Sequence, residues 1–110
     1  MRKQFSTDDR LSKNTSKVIE EGRRLREKNI VFYYMPFERP CITVIASRKV
    51  GKSNMRNKLK RWAKEKYRLE RNTLQNYATV VIFKPGAAQY DHGEVDHIID
   101  KLWQRAGIIK

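Results

Sequence analysis

The chain has a single cysteine, Cys41, set in an apolar run, so it cannot close an internal disulfide. That excludes a disulfide-stapled secreted toxin and agrees with a reducing compartment. No apolar run approaches the ~18 residues that span a bilayer. The opening stretch, Met1 to Arg10, is polar and lacks the apolar region of a signal peptide. The expectation is a soluble, cytoplasmic protein with no membrane partner. Repeats and low-complexity tracts are absent too, and 110 residues leave room for one ordinary domain, not for a two-domain enzyme. Acidic residues are scarce as well: 12 Asp and Glu face 25 Lys and Arg, a formal charge of +13.

Such a surplus on a small domain repels itself, and it normally exists because the partner is a polyanion. The charge is also unevenly placed. From Arg48 to Arg71 there are eleven basic residues and two acidic ones, a net +9 in 24 positions. A solvated helix face usually mixes both signs at i,i+4 spacing, so this segment reads as a binding surface.

Periodicity divides the chain into a flexible basic and polar N-terminal arm over 1–13 and one domain over 14–110, which carries the polyanion-binding segment. A short first helix starts at Asn14 or Thr15, carries Val18 and Ile19 on one side and ends at Gly22. Residues 29–35, rich in β-branched and aromatic types, form a strand closed by Pro36, and an extra short strand is indicated around Arg23–Arg26. Cys41 to Ala46 is a second apolar strand, expected to pair antiparallel with the first across the Pro36–Pro40 turn. A long helix then begins at Ser53 or Asn54 and ends at Asn72. Its apolar positions are Met55, Leu59, Trp62, Ala63, the stem of Lys66, and Leu69 or Glu70. Tyr77 to Phe83 is a buried strand. Asp91 and Glu94 have capping-box spacing before a closing helix whose apolar stripe is Val95, Ile98, Ile99, Leu102 and Trp103, terminated at Gly107. Trp62 and Trp103 are both expected in the core, and Tyr33 and Tyr34 point to opposite faces of their strand. The predicted class is α+β, helices packed on a small mixed sheet.

Three constellations compete for the chemistry. Ala46 to Ser53 fits a relaxed phosphate-loop spacing between a strand and a helix. However, Ala46 stands where the strict motif has glycine, and no strand ends in an Asp able to hold magnesium, so a nucleotide is not the expected partner. Asp91, His92, Glu94, Asp96, His97 and Asp100 offer metal-ligand types, but Asp91 and Glu94 suit a helix start and the two histidines, five apart, face different ways. No metal site and no catalytic side chain are predicted for the protein. The long helix is different. Arg56, Lys60 and Lys64 repeat at i,i+4, Asn57, Arg61 and Arg68 flank them, and the apolar side chains lie opposite. The loop from Gly51 to Asn54 adds a helix N-terminus, which itself attracts phosphate.

The run Ser47 to Arg61, continued by Glu65 and Tyr67-Arg68, resembles the signature of the bacterial ribonuclease P protein component. The likeness extends to Arg10-Leu11, Gly22-Arg23, Val31 to Tyr33, Val80 to Ile82 with Pro85, and Leu102-Trp103. It implies an α-β-β-β-α-β-α two-layer sandwich of helices on a mixed sheet, with a left-handed βαβ crossover through the basic helix. It further implies a non-catalytic subunit of an endoribonuclease whose RNA removes the 5′ leader of precursor tRNA. Mg2+ is required there by the RNA–protein holoenzyme. The partners would be ribonuclease P RNA and the precursor tRNA 5′ leader. The residues matching the RNA-docking motif are Arg56, Asn57, Lys58, Lys60 and Arg61, with Arg48, Lys49, Lys52, Asn54, Lys64 and Arg68 beside them. Val31 and Tyr33 match the strand wall of the leader cleft, and Thr15 and Ile19 stand where the family's first helix usually has aromatic residues. Lys58 replaces the usual arginine, keeping the charge and losing the fork. The alternative reading is a small basic RNA-binding protein of ribosomal type.

Overall fold

The computed structural model describes residues 15–110. The expected arm over 1–13, the Arg10-Leu11 pair and the Asn14 cap lie outside the described residues. Helix α1 covers 15–21 and buries Val18. The Gly22 N–H then donates to the Val18 carbonyl at 2.8 Å. A Cβ at Gly22 would stand 2.5 Å from that carbonyl oxygen and 2.8 Å from the Tyr34 carbonyl oxygen, so only glycine fits where α1 meets the sheet.

Four strands follow the order β1 (Arg23–Glu27), β2 (Ile30–Pro36), β3 (Cys41–Ala46) and β4 (Tyr77–Phe83). The indicated short strand is present as β1, one residue longer than expected. In space the order is β1-β2-β4-β3, with β1–β2 and β2–β4 antiparallel and β3–β4 parallel. The expected β2–β3 hairpin is therefore incorrect, because β4 lies between the two. The reason is burial. Ala78, Thr79, Val80, Val81 and Phe83 are all buried, and a strand apolar on both faces requires a central position with neighbours on both sides.

Helices α2 (Ser53–Glu70) and α3 (His92–Ala106) cover one face. Their buried residues join Ile30, Phe32, Tyr34, Ile42, Val44, Val81 and Phe83 in the main core. The opposite face holds a smaller cluster in which Val18 of α1 meets Cys41, Ala78 and Val80. Helix α3 starts at a complete capping box: Asp91 Oδ1 accepts the Glu94 N–H at 2.8 Å and Glu94 Oε1 accepts the Asp91 N–H at 3.0 Å. It ends at Gly107, whose φ of 71° favours glycine.

Helix α2 departs from its expected stripe. The buried positions are Leu59, Ala63, Lys66 and Tyr67, while Leu69 is 72% exposed. The helix also stops at Glu70 and passes into a 3-10 turn over Arg71–Thr73. Trp103 is core, as expected, but Trp62 is only half-buried: it sits on the α2–α3 seam, stacked on His92 at 5.1 Å with Lys58 Nζ 5.8 Å from its ring centre. Lys66 is the structural pin of that seam. Its ammonium meets Glu70 at 2.7 Å, Asp96 at 3.6 Å and Asp100 at 3.7 Å, and lies 5.1 Å from the Trp103 ring centre. Asp96 and Asp100, weighed above as metal ligands, thus serve a lysine.

Candidate nucleic-acid interface

Because α2 buries Leu59, Ala63, Lys66 and Tyr67, its remaining surface must carry the basic residues. Asn57, Lys60, Arg61, Lys64 and Arg68 recur at three- and four-residue steps and line one shallow groove of about 440 Å³, with Glu65 its one acidic wall. The helix turns these cations toward one track instead of spreading them around the axis. Arg61, Asn57 and Arg68 are exposed there, and Lys60 and Lys64 are half-buried.

The other residues of the predicted surface divide into two groups. Arg48 and Lys49 are exposed on the 3-10 turn Arg48–Val50, and Lys52, Asn54 and Lys58 are exposed along the start of α2. Arg56 is partly withdrawn: its Nε donates to the Gly51 carbonyl at 3.1 Å, which ties the loop to the helix. Lys58 leans toward Trp62, away from the groove. The start of α2 has no side-chain cap from Lys52 and no acidic residue in its first turn. Unlike α3, it presents its positive dipole end with neighbouring lysines, an arrangement suited to phosphate. The 48–51 turn directs its own amides inward. The Val50 and Gly51 N–H groups are consumed inside the turn, by the Ser47 and Arg48 carbonyls at 3.0 and 3.2 Å, and a phosphate-wrapping loop needs such groups directed at the ligand.

The second predicted surface lies on the sheet face that α1 half covers. The registers create two rows across it. One runs Tyr33, Val80, Thr43, and the Thr43 hydroxyl is 3.5 Å from that of Thr15 on α1. The other runs Val31, Ile82, Ile45 and reaches the end of β3 beside the Arg48–Val50 turn. Tyr33 is half-buried and Ile19 partly so, whereas Val31 is 1% exposed and can serve only as floor. Tyr34 belongs to the other face, stacked with Phe32 at 5.6 Å. The sequence marks Ile45 and Ile82 only as strand residues. Nothing in the sequence reveals that they flank Val31, because pairing across strands has no local signal.

The fold and surfaces define a small basic α+β domain with a continuous track of cations along one helix and its preceding turn. The Ribonuclease P family model matches residues 5–107. The ribonuclease P protein component of Dictyoglomus turgidum is 34% identical over 113 aligned positions, covering 96% of this chain and 95% of that one. That of Yersinia enterocolitica is 36% identical over 61 positions, 56% of this chain and 51% of that one. Among solved structures, the ribonuclease P protein of Thermotoga maritima superposes with a TM-score of 0.80 at 25% identity over 87% of this chain and 96% of that one. The Staphylococcus aureus protein gives 0.83 at 16% identity over 89% and 93%. The chain belongs to the ribonuclease P protein component family, and its α-β-β-β-α-β-α order is that of these structures.

Proposed function

We propose that the chain docks on the catalytic RNA of ribonuclease P through α2 and holds the 5′ leader of precursor tRNA in the cleft between α1 and the sheet. The observation that carries the docking half is the groove of Asn57, Lys60, Arg61, Lys64 and Arg68, set on the side of α2 that the core leaves open. Guanidinium forks bind phosphate bidentately, ammonium groups add point charge, and neither reads sequence, which suits a folded RNA backbone. In the cleft, the half-exposed Tyr33 ring offers a stacking platform that tolerates any base. The chemistry belongs to the RNA, as does the magnesium in this reading. The chain contributes positive charge and position, raising affinity for precursor and metal.

The test is single-turnover cleavage of a 5′-extended precursor tRNA by a bacterial ribonuclease P RNA at low magnesium, with and without the chain, beside a protein-only control. Stimulation that requires the RNA is expected. RNA binding without stimulation would instead establish a general RNA-binding protein of ribosomal type.

A further inference from the structure

Strand β1 reads Arg23-Arg24-Leu25-Arg26-Glu27, and a period of two divides it into unlike faces. Leu25 packs on the main core, and Glu27 is held from α3 by Lys101 Nζ and Arg105 Nη1, each at 3.1 Å. Arg24 and Arg26 therefore stand on the other face, the one that carries Tyr33 and Val31. The register confirms this, pairing Arg24 with Tyr33 and Arg26 with Val31. Residues directly opposite in an antiparallel pair have Cβ atoms ~4.5–5.5 Å apart, so Arg24 leaves the sheet beside Tyr33 and Arg26 beside Val31. The only carboxylate of the strand is committed to α3 and neutralises neither arginine. Among the described residues no ion pair holds Arg24 or Arg26. Arg26 is aimed by its own turn, its Nε donating to the Lys28 carbonyl at 2.8 Å.

We propose that Arg24 and Arg26 form a phosphate rail along the β1 edge of the cleft. A single-stranded RNA then lies with a base over Tyr33 and its backbone along β1. The two arginines are two residues apart on a strand, about 7 Å, the scale of one nucleotide step in an extended chain. Their forks grip phosphate without regard to sequence. This rests on the leader-cleft reading above and supplies the wall that reading lacks, since α1 offers only Thr15 and Ile19. An edge strand also bears charge to discourage pairing with other chains, and that role predicts no dependence on leader length.

The experiment compares precursor tRNA carrying a long leader with precursor carrying a one-nucleotide leader, bound by the full chain reconstituted with ribonuclease P RNA. The variants are Arg24→Ala, Arg24→Gln, the Arg24→Ala/Arg26→Ala pair and Tyr33→Ala. Arg24→Gln keeps the stem beside Tyr33, so a loss shared by both Arg24 variants reports the charge. Expected is a roughly five- to tenfold loss of affinity for the long leader in each Arg24 variant, with one-nucleotide binding, RNA docking and melting temperature unchanged. Equal losses with both leaders, or none, overturn the rail. If Tyr33→Ala abolishes the leader dependence and the Arg24 variants retain it, the rail fails alone. If the unaltered chain does not discriminate the two leaders, the cleft reading fails with it.

Discussion

Lys66 lies in the most basic segment of the chain, yet the structure buries it in the α2–α3 seam, and its removal should cost stability without touching RNA binding. Its side chain is 4% exposed, with the stem inside the α2–α3 seam and the ammonium against Glu70, Asp96, Asp100 and the Trp103 ring. Lys66→Ala deletes most of that stem and opens space beside Trp103, a loss of about 2–3 kcal/mol at ~0.8 kcal/mol per buried methylene. The three carboxylates are 39–48% exposed, so their attraction is screened and the ion pairs add about 1 kcal/mol. The ring contact adds about another 1 kcal/mol. The total is roughly 4 kcal/mol, a large part of the 5–15 kcal/mol that holds a domain together. Lys66→Met keeps an apolar stem and lets the half-exposed carboxylates turn to water, so about 1–2 kcal/mol is expected. Urea unfolding followed by tryptophan fluorescence measures both, since Trp103 lies beneath the ammonium. Equal losses for Met and Ala would show that charge, not packing, dominates. A loss under about 1 kcal/mol for Ala would refute the pin altogether. In both variants that remain folded, the salt dependence of RNA binding should match that of the unaltered chain.

Arg61→Ala should do the opposite. It leaves the melting temperature in place, because Arg61 is exposed, while weakening docking on ribonuclease P RNA by roughly 1–3 kcal/mol and lowering the slope of log K against log salt by about one, both read from binding titrations across salt. Tyr67→Phe should be neutral or slightly stabilising by chemical denaturation, since the buried Tyr67 hydroxyl has no hydrogen-bond partner among the described residues to lose. Burial also pushes the Tyr67 phenol well up, so it should stay protonated through the ordinary phenol range near pH ~10 in an ultraviolet titration and ionise as the chain unfolds. The hydrogen bond from Lys101, with the charges of Lys101 and Arg105, holds the Glu27 carboxyl below its usual range. A depressed carboxylate stabilises above its unfolded pKa and ceases to do so as pH falls through the folded one. Glu27→Gln should therefore lower the melting temperature at neutral pH and converge with the unaltered chain in acid, as checked by thermal scans from pH 7 to 3.

The sequence by itself determined the elements that rest on local signals. Both long helices, the strand positions, the capping box at Asp91 and Glu94 and the glycine stop at Gly107 follow from periodicity and capping chemistry, which act within a few residues. The polyanion partner follows from charge alone, and the run from Ser47 to Arg61 is long enough to point to the family. Tertiary structure alone decided what depends on neighbours distant in the chain. It inserted β4 between β2 and β3, because a strand apolar on both faces is stable only at the centre. It rotated α2 by its contacts with α3, and so buried Tyr67 beside the expected Lys66 stem, exposed Leu69 and moved Trp62 to the seam, since the apolar stripe of Met55, Leu59, Trp62 and Ala63 is wider than the face the sheet can cover. It also set Arg24 and Arg26 on the sheet face that carries Tyr33 and Val31. Alternation along β1 separates the arginines from Glu27, but only the packing of Leu25 and the grip of α3 on Glu27 fix which face is which.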